Sequence, residues 1–200
     1  MNQWDERFDV EEYIYGTEPN VWVKSIFKKK GNFKVALLAE GEGRNAVYMA
    51  KLGHDVTAYD FSQSGIDKTH KLAQSEGVDV KTQLQDITIP DALPKSEYDI
   101  AINVFGHVPP AGKSEMIRNF AESVKPGGYI VFELYSRRQI EFQTGGPKDI
   151  HMLFDAGDMK RELESYGFEA IELKEVIVHR SEGRMHQGKS AVIQGLLKKK

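Results

Sequence analysis

The chain has 200 residues, 40% of them hydrophobic, and no cysteine, which predicts one domain over residues 1–200 and excludes disulfides and thiolate chemistry. A formal net charge of −3, no long apolar run and no secretory leader pattern predict a cytoplasmic protein with neither a nucleic-acid nor a membrane partner. Composition is compatible with a monomer and with a homodimer.

Residues 1–30 precede the predicted core and are expected to form a lid and a helix. Four aromatic side chains lie among acids in this region: Trp4, Phe8, Tyr13 and Tyr15. Thr17, followed by Glu18 and Pro19, predicts the start of a helix whose apolar face ends before Gly31. The aromatic side chains either pack this segment onto the core or form a lid over a ligand.

The sequence pattern is centred on an apolar run that ends in two closely spaced glycines. Val35–Ala39 predicts a buried strand, and Gly41 and Gly43 predict a tight turn. The apolar spacing that follows Asn45 predicts a helix. Glycine lets the backbone approach a ligand closely, and the free amides of the helix start point into the same space. This glycine turn (residues 39–43) is therefore predicted to bind a nucleotide or nucleoside.

Strands and helices alternate after the glycine turn. Further strands are predicted at 54–60, 78–84, 98–105 and 129–134, and helices at 62–76 and around Met116–Val124. Because these strands are apolar on both faces, they are expected to form a parallel sheet that helices cover on both sides.

The last third of the chain breaks this alternation. A polar loop at 136–151 and a helix at about 158–166 precede two successive strands at 168–179 and 189–197, joined by a loop at 181–188. Two neighbouring strands without a helix between them pair antiparallel. The predicted fold class is α/β, a three-layer sandwich whose seven-stranded, mostly parallel sheet ends in an antiparallel C-terminal hairpin.

The glycine turn alone is compatible with an NAD(P)-dependent oxidoreductase. Residues 41–46 fit the dinucleotide pattern G-x-G-x-x-G/A, and Asp60 lies at the right distance to bind ribose hydroxyls. Three features disfavour this alternative. About thirty residues precede the first strand, the chain has no Tyr-x-x-x-Lys pair, and a terminal antiparallel hairpin is not part of the dinucleotide-binding sheet.

The same landmarks resemble the class I S-adenosylmethionine-dependent methyltransferases over nearly the whole chain. They occur in the family's order: a leading helix, residues 39–43, Asp60 with Phe61, Asp86 with Ile87, the strand 98–105, Pro126-Gly127-Gly128 and the hairpin. The resemblance implies a Rossmann-like fold and S-adenosylmethionine as the cofactor. It implies cofactor contacts from Tyr15, Ala39, Glu40, Gly41, Gly43, Asn45, Asp60, Phe61, Asp86, Ile87 and Asn103.

Two departures from the family pattern concern the first strand. The usual strand acid falls on Leu37 and the first glycine on Ala39, so Glu40 is predicted to take over part of the acid's role near the cofactor's amino group. The turn AEGEGRN, together with residues 4–8 and 15–20, resembles the small bacterial branch related to tellurite-resistance and thiol or thiopurine methyltransferases.

Methyl transfer from a sulfonium requires aligned partners, exclusion of water and, for an acidic acceptor, removal of a proton. His107, after the fourth strand, is the candidate catalytic base, with a structural loop histidine as the alternative. The predicted substrate-binding residues are Tyr13, Tyr135, Arg184 and His186. Arg137, Arg138, Lys148 and Arg184 are expected to attract an anionic or thiolate acceptor.

The predicted function is methyl transfer to a small-molecule acceptor, either a thiol or an anion such as selenite or tellurite. The alternatives are the NAD(P)-dependent oxidoreductase and a non-catalytic regulatory module that binds S-adenosylmethionine. No metal is expected, because His54, His70 and His179 lack metal-ligand spacing.

Overall fold

A computed structural model describes residues 2–200, so the part of the predicted 1–30 region that falls on Met1 lies outside the described residues. The strands are β1 (Lys34–Leu38), β2 (Asp55–Asp60), β3 (Lys81–Leu84), β4 (Tyr98–Val104), β5 (Val124–Tyr135), β6 (Phe168–Glu182) and β7 (His186–Lys199). The α-helices are α1 (Gln3–Phe8), α2 (Val21–Ile26), α3 (Arg44–Lys51), α4 (Gln63–Ser75), α5 (Lys113–Glu122) and α6 (Ala156–Ser165).

The seven strands form one sheet in the order β3-β2-β1-β4-β5-β7-β6. All pairs from β3 to β5 are parallel, and β7 lies antiparallel between β5 and β6. The predicted fold class, including the C-terminal hairpin, is confirmed. The chain proceeds from β1 toward one edge of the sheet and then restarts with β4 on the other side of β1, and open α/β sheets bind ligands in the crevice at such a switch point.

The apolar strands supply a core on each face of the sheet. Consecutive residues of β1 alternate between the two cores: Leu38 packs with Phe120 and Phe132, whereas Leu37 packs with Val23 and Met49. Burying a side chain of this size contributes about 1.5–3 kcal/mol. Because both faces are buried, β1 is held rigidly, and so is the glycine turn that leaves its end.

The N-terminal helices differ from the prediction. The predicted helix begins three residues later than expected, because Asn20 rather than Thr17 caps it: the Asn20 side chain accepts hydrogen bonds from the amides of Trp22 and Val23. The short helix α1 was not predicted. It is stabilised by a capping box in which Asn2 and Asp5 bond each other's amides.

The C-terminal hairpin is longer than predicted. β6 and β7 stay paired up to Glu182 and His186, so the expected loop 181–188 reduces to the turn 183–185. Residues 181–188 are mostly polar, so their hydrophobicity pattern does not indicate a strand. The predicted loop 136–151 contains two short 3-10 turns, Arg137–Glu141 and Ile150–Met152. Among residues 2–200, no helix is long and apolar enough to cross a membrane.

Candidate functional site

A cavity of about 390 Å³ opens at the carboxyl edge of β1 to β4, beneath the N-terminal segment. This volume suits a small-molecule ligand. Its walls come from the glycine turn, the loops after β2, β3 and β4, residues of the N-terminal segment and His186 at the start of β7. The cavity therefore lies at the switch point of the sheet.

The backbone is strained at the ends of the two central strands. Ala39 after β1 and Phe105 after β4 adopt φ values of +50° and +56°, which non-glycine residues rarely do. Both residues line the cavity. Gly106 beside them has no room for a side chain, because a Cβ would lie 2.4 Å from Asn103 Oδ1 and 3.0 Å from the Cβ of Ala39. Strain of this kind is typical of functional sites.

The two glycines of the glycine turn have different surroundings. Gly41 has φ +66°, lines the cavity and lies against the ring of Phe8. Gly43 has φ +90° and is not part of the cavity wall. It packs on α4, where a Cβ would lie 2.6 Å from Thr69 Oγ1. Gly43, predicted to contact the cofactor, instead lets the turn pack against α4.

Replacing Gly43 with alanine is expected to destabilise the protein more than the same change at Gly77. Both have positive φ, which costs an L-residue roughly 1–2 kcal/mol. At Gly77 no heavy atom of the described residues lies within 4 Å of the added Cβ. Overpacking against Thr69 adds about 1–3 kcal/mol, so G43A should unfold at a lower urea concentration than G77A. Equal midpoints would contradict the packing role of Gly43.

Glu40 caps helix α3 from within the glycine turn. Its Oε1 accepts hydrogen bonds from the amides of Asn45 at 2.8 Å and Ala46 at 2.7 Å. Burial raises the pKa of Glu40 to about 7. The hydrogen bonds and the charge of Arg44 oppose this shift, because they favour the ionised form. Glu40 and Asn45 both line the cavity, so a carboxylate and the start of a helix face the same space.

Asp60, at the end of β2, joins that strand to the glycine turn. Its Oδ2 accepts a hydrogen bond from the amide of Gly41 and its Oδ1 one from the amide of Ser62, both at 2.8 Å. Burial raises the pKa of Asp60. A carboxylate oxygen can accept more than one hydrogen bond, so both oxygens retain acceptor capacity. Asp60 and the neighbouring Phe61 line the cavity.

Asp86, beyond β3, presents a carboxylate at the outer end of the cavity. Its Oδ1 accepts hydrogen bonds from the amide and the hydroxyl of Thr88 at 2.8 and 2.6 Å. Its Oδ2 makes no hydrogen bond within residues 2–200, and Ile87 contributes an apolar wall beside it. The structure thus brings the acids predicted after β2 and β3 to one cavity.

The N-terminal segment covers the cavity. Its lining residues are Gln3, Trp4, Phe8, Tyr15 and Gly16. Two contacts hold it: buried Glu42 accepts hydrogen bonds from the amides of Ile14 and Tyr15 and forms an ion pair with Lys68. Asp5 of α1 accepts a hydrogen bond from Ser62 Oγ at 2.8 Å. Aromatic side chains of the N-terminal segment therefore lie where the lid was predicted.

His107, the predicted base, has both ring nitrogens bonded to the backbone. Nδ1 donates to the carbonyl of Phe105 at 3.0 Å, and Nε2 accepts from the amide of Tyr135 at 3.1 Å. Burial lowers the pKa of His107 to about 4. Neither nitrogen is left to take a proton from an acceptor, so this position contradicts the catalytic prediction. His107 instead ties the loop after β4 to the end of β5.

His186 lies at the inner end of the cavity inside a group of aromatic rings. Its ring centroid is 4.5 Å from that of Tyr15, 4.7 Å from that of Phe105 and 6.0 Å from that of Tyr135. His186, a predicted substrate contact, and Tyr15, a predicted cofactor contact, both line the cavity. Tyr135 does not; it is fully buried and supports the group from below by stacking on Phe105.

Three further predicted contacts lie away from the cavity wall. The Tyr13 hydroxyl donates to the carbonyl of Lys68, and Asn103 Oδ1 accepts from the amide of Gly106. Arg184, at the hairpin turn, is exposed and pairs with Glu12. Arg137, Arg138 and Lys148 also lie outside the wall. The predicted positive lining of the acceptor region is therefore wrong.

A buried charge network beneath the aromatic rings was missed by the sequence reasoning. Glu133 on β5 and Arg180 on β6 form an ion pair at 2.6 Å, and Arg180 also contacts Glu182 at 3.1 Å. Glu182 in turn pairs with Arg44 of α3 at 2.7 Å. Asn20, the cap of α2, donates to Glu133. The signal in the sequence is the single acid within the apolar strand β5, whose position requires a buried partner.

Comparison with known proteins identifies the scaffold. Residues 35–128, nearly half of the chain, match the methyltransferase domain family. This match supports a class I, S-adenosylmethionine-dependent methyltransferase domain. The recognition made from the sequence is confirmed, and the family indicates S-adenosylmethionine as the cofactor.

Two curated relatives support the methyltransferase domain. The probable S-adenosyl-L-methionine-dependent methyltransferase TehB of Haemophilus influenzae is 29% identical over 96 residues, 48% of this chain and 34% of TehB. A ubiquinone biosynthesis O-methyltransferase of Coxiella burnetii is 35% identical over 101 residues, 48% of this chain and 41% of the relative. The chain thus matches less than half the length of either relative.

Superposition on solved structures extends the similarity from residues 35–128 to the fold of most of the chain. Haemophilus influenzae TehB superposes with a TM-score of 0.68 at 23% identity, covering 88% of this chain and 60% of TehB. The [4+2]-cyclase SpnF superposes with a TM-score of 0.68 at 15% identity, covering 98% of this chain and 80% of SpnF. Because TehB and a cyclase both superpose on this fold, the fold by itself does not decide the reaction.

The charges of the methyltransferase domain's cavity fit a cationic ligand. Glu40, Asp60 and Asp86 form no ion pair within residues 2–200, whereas the wall's one arginine, Arg44, is neutralised by Glu182. Uncompensated carboxylates favour a ligand carrying a sulfonium and an ammonium group. The described residues contain no cluster of three or more histidine, aspartate or glutamate side chains able to hold a metal ion.

Proposed function

We propose that this chain is an enzyme that transfers the methyl group of S-adenosylmethionine to a small-molecule acceptor by in-line displacement. The observation that carries the proposal is a single covered cavity with carboxylates at one end and a histidine among aromatic rings at the other. The names of the curated relatives support methyl transfer. Thiols and soft anions such as selenite or tellurite are the candidate acceptors, in a cytoplasmic monomer or homodimer without nucleic-acid or membrane partners.

The carboxylates are assigned by strand position. Asp60 ends β2 and accepts the ribose hydroxyls. Asp86 follows β3, one strand further out, and its free Oδ2 accepts from the adenine amino group. Glu40 follows β1 and faces the amino group of the methionine moiety. The sheet order places these three strand ends side by side, so one extended ligand can reach all of them.

The bound cofactor supplies an electrophilic methyl group on a positively charged sulfur. The chain's own part is to align the acceptor and exclude water. Tyr15 and Phe105 line the inner end of the cavity, and aromatic rings favour a nearby positive charge. Trp4 and Phe8 of α1 lie over the cavity and limit the access of water.

The two alternatives make different demands on the site. An NAD(P)-dependent oxidoreductase is disfavoured because β7 lies antiparallel within the sheet and because the cavity carries carboxylates rather than free cations for a pyrophosphate. A regulatory module would bind S-adenosylmethionine without a space for an acceptor. The aromatic space around His186 favours an enzyme over such a module.

Calorimetry with S-adenosylhomocysteine and with NAD tests the cofactor assignment. We expect S-adenosylhomocysteine to bind and to raise the unfolding free energy by about 2.7 kcal/mol at a concentration one hundred times its Kd. NAD should do neither. Binding of NAD with no binding of S-adenosylhomocysteine would refute the proposed function.

A further inference from the structure

A second cavity lies at the opposite edge of the sheet from the proposed cofactor cavity. Its volume is about 400 Å³, which suits a small molecule. Residues near the starts of β4 and β5 line it and, because β7 runs antiparallel, so does a residue near the end of β7. The end of α2 closes one side. No residue lines both cavities, so a ligand in the second cavity would take no part in methyl transfer.

The wall of the second cavity is mainly apolar. Its large apolar side chains are Ile26, Phe27, Phe33, Ile100, Tyr129 and Leu196. Phe33 is 50% exposed, and Phe27, Tyr129 and Leu196 are only partly buried. Removing apolar surface from water is favourable, and exposed apolar surface at a concave site is typical of a place where another molecule binds. The wall therefore suits a hydrocarbon group.

The acid in the wall of the second cavity is already paired. Asp99 accepts a hydrogen bond from Lys125 Nζ at 3.0 Å at one carboxylate oxygen and from the amide of Lys34 at 2.8 Å at the other. Asp99 is the one acid of this wall among residues 2–200. The second cavity therefore offers no unpaired carboxylate to a cationic ligand.

Two lysine runs of the sequence meet at the second cavity. Residues 28–30 directly follow Phe27 of the wall. In the run 198–200, Lys198 places its Nζ 5.7 Å from the ring centroid of Tyr129, which belongs to the same wall. The runs lie far apart in the sequence, and the fold brings both to the amino edge of the parallel strands.

Four of these lysines have no counter-ion within residues 2–200. Residues 28–30 and Lys198 are exposed and take part in no salt bridge of the described chain. Glu169 lies opposite Lys198 on β6, but it pairs with Lys200 at 3.9 Å. Unpaired cations beside an apolar cavity attract an anionic group. The ligand that complements the site has an apolar body and a negative head.

We propose that the second cavity is a binding site, separate from the proposed methyl transfer, for a free amphipathic anion: a small carboxylate with a hydrocarbon chain. The chain packs on Phe33, Tyr129 and Leu196, and the carboxylate stays at the mouth beside Lys198. Because the lysines are exposed, the carboxylate keeps part of its water and no charge is buried. A concave site of this volume encloses one molecule, which favours a free ligand over a membrane surface.

Amide chemical shifts of isotope-labelled protein locate the ligand. The probe is octanoate, and octylamine is a ligand of equal chain length and opposite charge. We expect octanoate to shift the amides of residues 26–33, 127–129 and 196–198 until the site is saturated. It should bind at least about tenfold more tightly than octylamine, because the same lysines attract one head group and repel the other. Added salt should reduce this difference.

Several results would overturn the proposal. Equal affinity for octylamine would show that the lysines do not select the charge. Octanoate shifts confined to residues 39–43 and Asp60 would place the probe in the cofactor cavity. Without any octanoate shift, binding to phosphatidylglycerol vesicles would assign this surface to a membrane, and self-association that Phe33→Ser abolishes would assign it to a second copy of the chain.

Variants separate the two parts of the proposed ligand. Lys198→Glu should weaken octanoate binding by at least about threefold through its charge, and Phe33→Ser should weaken it through lost apolar contact. The control Lys71→Glu reverses an exposed lysine of α4 and should leave octanoate binding unchanged. Unchanged amide spectra away from the second cavity show that each variant is folded. Wild-type octanoate affinity in both Lys198→Glu and Phe33→Ser would overturn the proposal.

The second cavity and the proposed function fail separately. Octanoate and S-adenosylhomocysteine should bind at the same time, because no residue lines both cavities. Displacement of S-adenosylhomocysteine by octanoate would overturn the proposal made here. A protein that binds octanoate at the second cavity and binds no S-adenosylhomocysteine would support the second site and refute the proposed function alone.

Discussion

Replacing Asp60 with alanine should weaken S-adenosylhomocysteine binding by about 10- to 150-fold, on the order of 1.5–3 kcal/mol. Two losses combine in this variant. The ribose hydroxyls lose their charged acceptor, and the amides of Gly41 and Ser62 lose the hydrogen bonds that position the glycine turn. Isothermal titration calorimetry measures the affinity directly.

The control for Asp60 is an exposed acid outside the cavity. Asp67 is exposed on α4 and accepts a hydrogen bond only from Gln63 within residues 2–200. Asp67→Ala should bind S-adenosylhomocysteine as the wild type does. Wild-type affinity in a folded Asp60→Ala protein would remove Asp60 from the site.

Replacing Glu133 with alanine should have the largest effect on stability, about 3–5 kcal/mol. Its two carboxylate oxygens accept hydrogen bonds at 2.6 Å from Asn20, which caps α2, and from Arg180 of β6 and Gln194 of β7. Removing the carboxylate leaves the buried Arg180 with one counter-ion for a guanidinium that is 3% exposed. Such a loss is a large part of the 5–15 kcal/mol that stabilises a typical domain.

Urea unfolding of Glu133→Ala and of a surface counterpart measures this effect. Glu172 pairs with Lys174 on the exposed edge strand β6, and exposed pairs contribute little, so Glu172→Ala should unfold close to the wild type. Glu133→Gln keeps one acceptor oxygen and should fall between the two. If Glu133→Ala and Glu172→Ala unfold at the same midpoint, the network does not hold the hairpin to the sheet.

Local sequence patterns were enough to predict the fold and the half of the cavity that carries the carboxylates. The apolar run of β1 and the glycine turn are contiguous in sequence, and the side-chain period of strands and helices is short. Asp60 and Asp86 could be placed because each follows a recognisable strand, and carboxyl ends of parallel strands meet at one edge. These residues do line one cavity.

The acceptor side depended on long-range packing that no local pattern reports. The hydrogen bonds of His107 reach the backbone 28 residues away, and the ion pair of Glu133 joins residues 47 apart in the sequence. Arg184 and His186 were assigned together from one predicted loop. Because that loop is a tight turn between paired strands, Arg184 lies at its exposed tip, and His186 lies at the first position of β7, in the cavity.

The most direct test of the central claim follows the methyl group itself. The protein is incubated with S-adenosylmethionine carrying an isotopic label on the methyl carbon and with phenylmethanethiol, and the label is located by mass spectrometry. Label on the thiol's sulfur, with equal release of S-adenosylhomocysteine and dependence on both protein and thiol, is the predicted result. Tight binding of S-adenosylmethionine, with no label transferred to any acceptor in a broad panel, would contradict the account and identify a regulatory module instead.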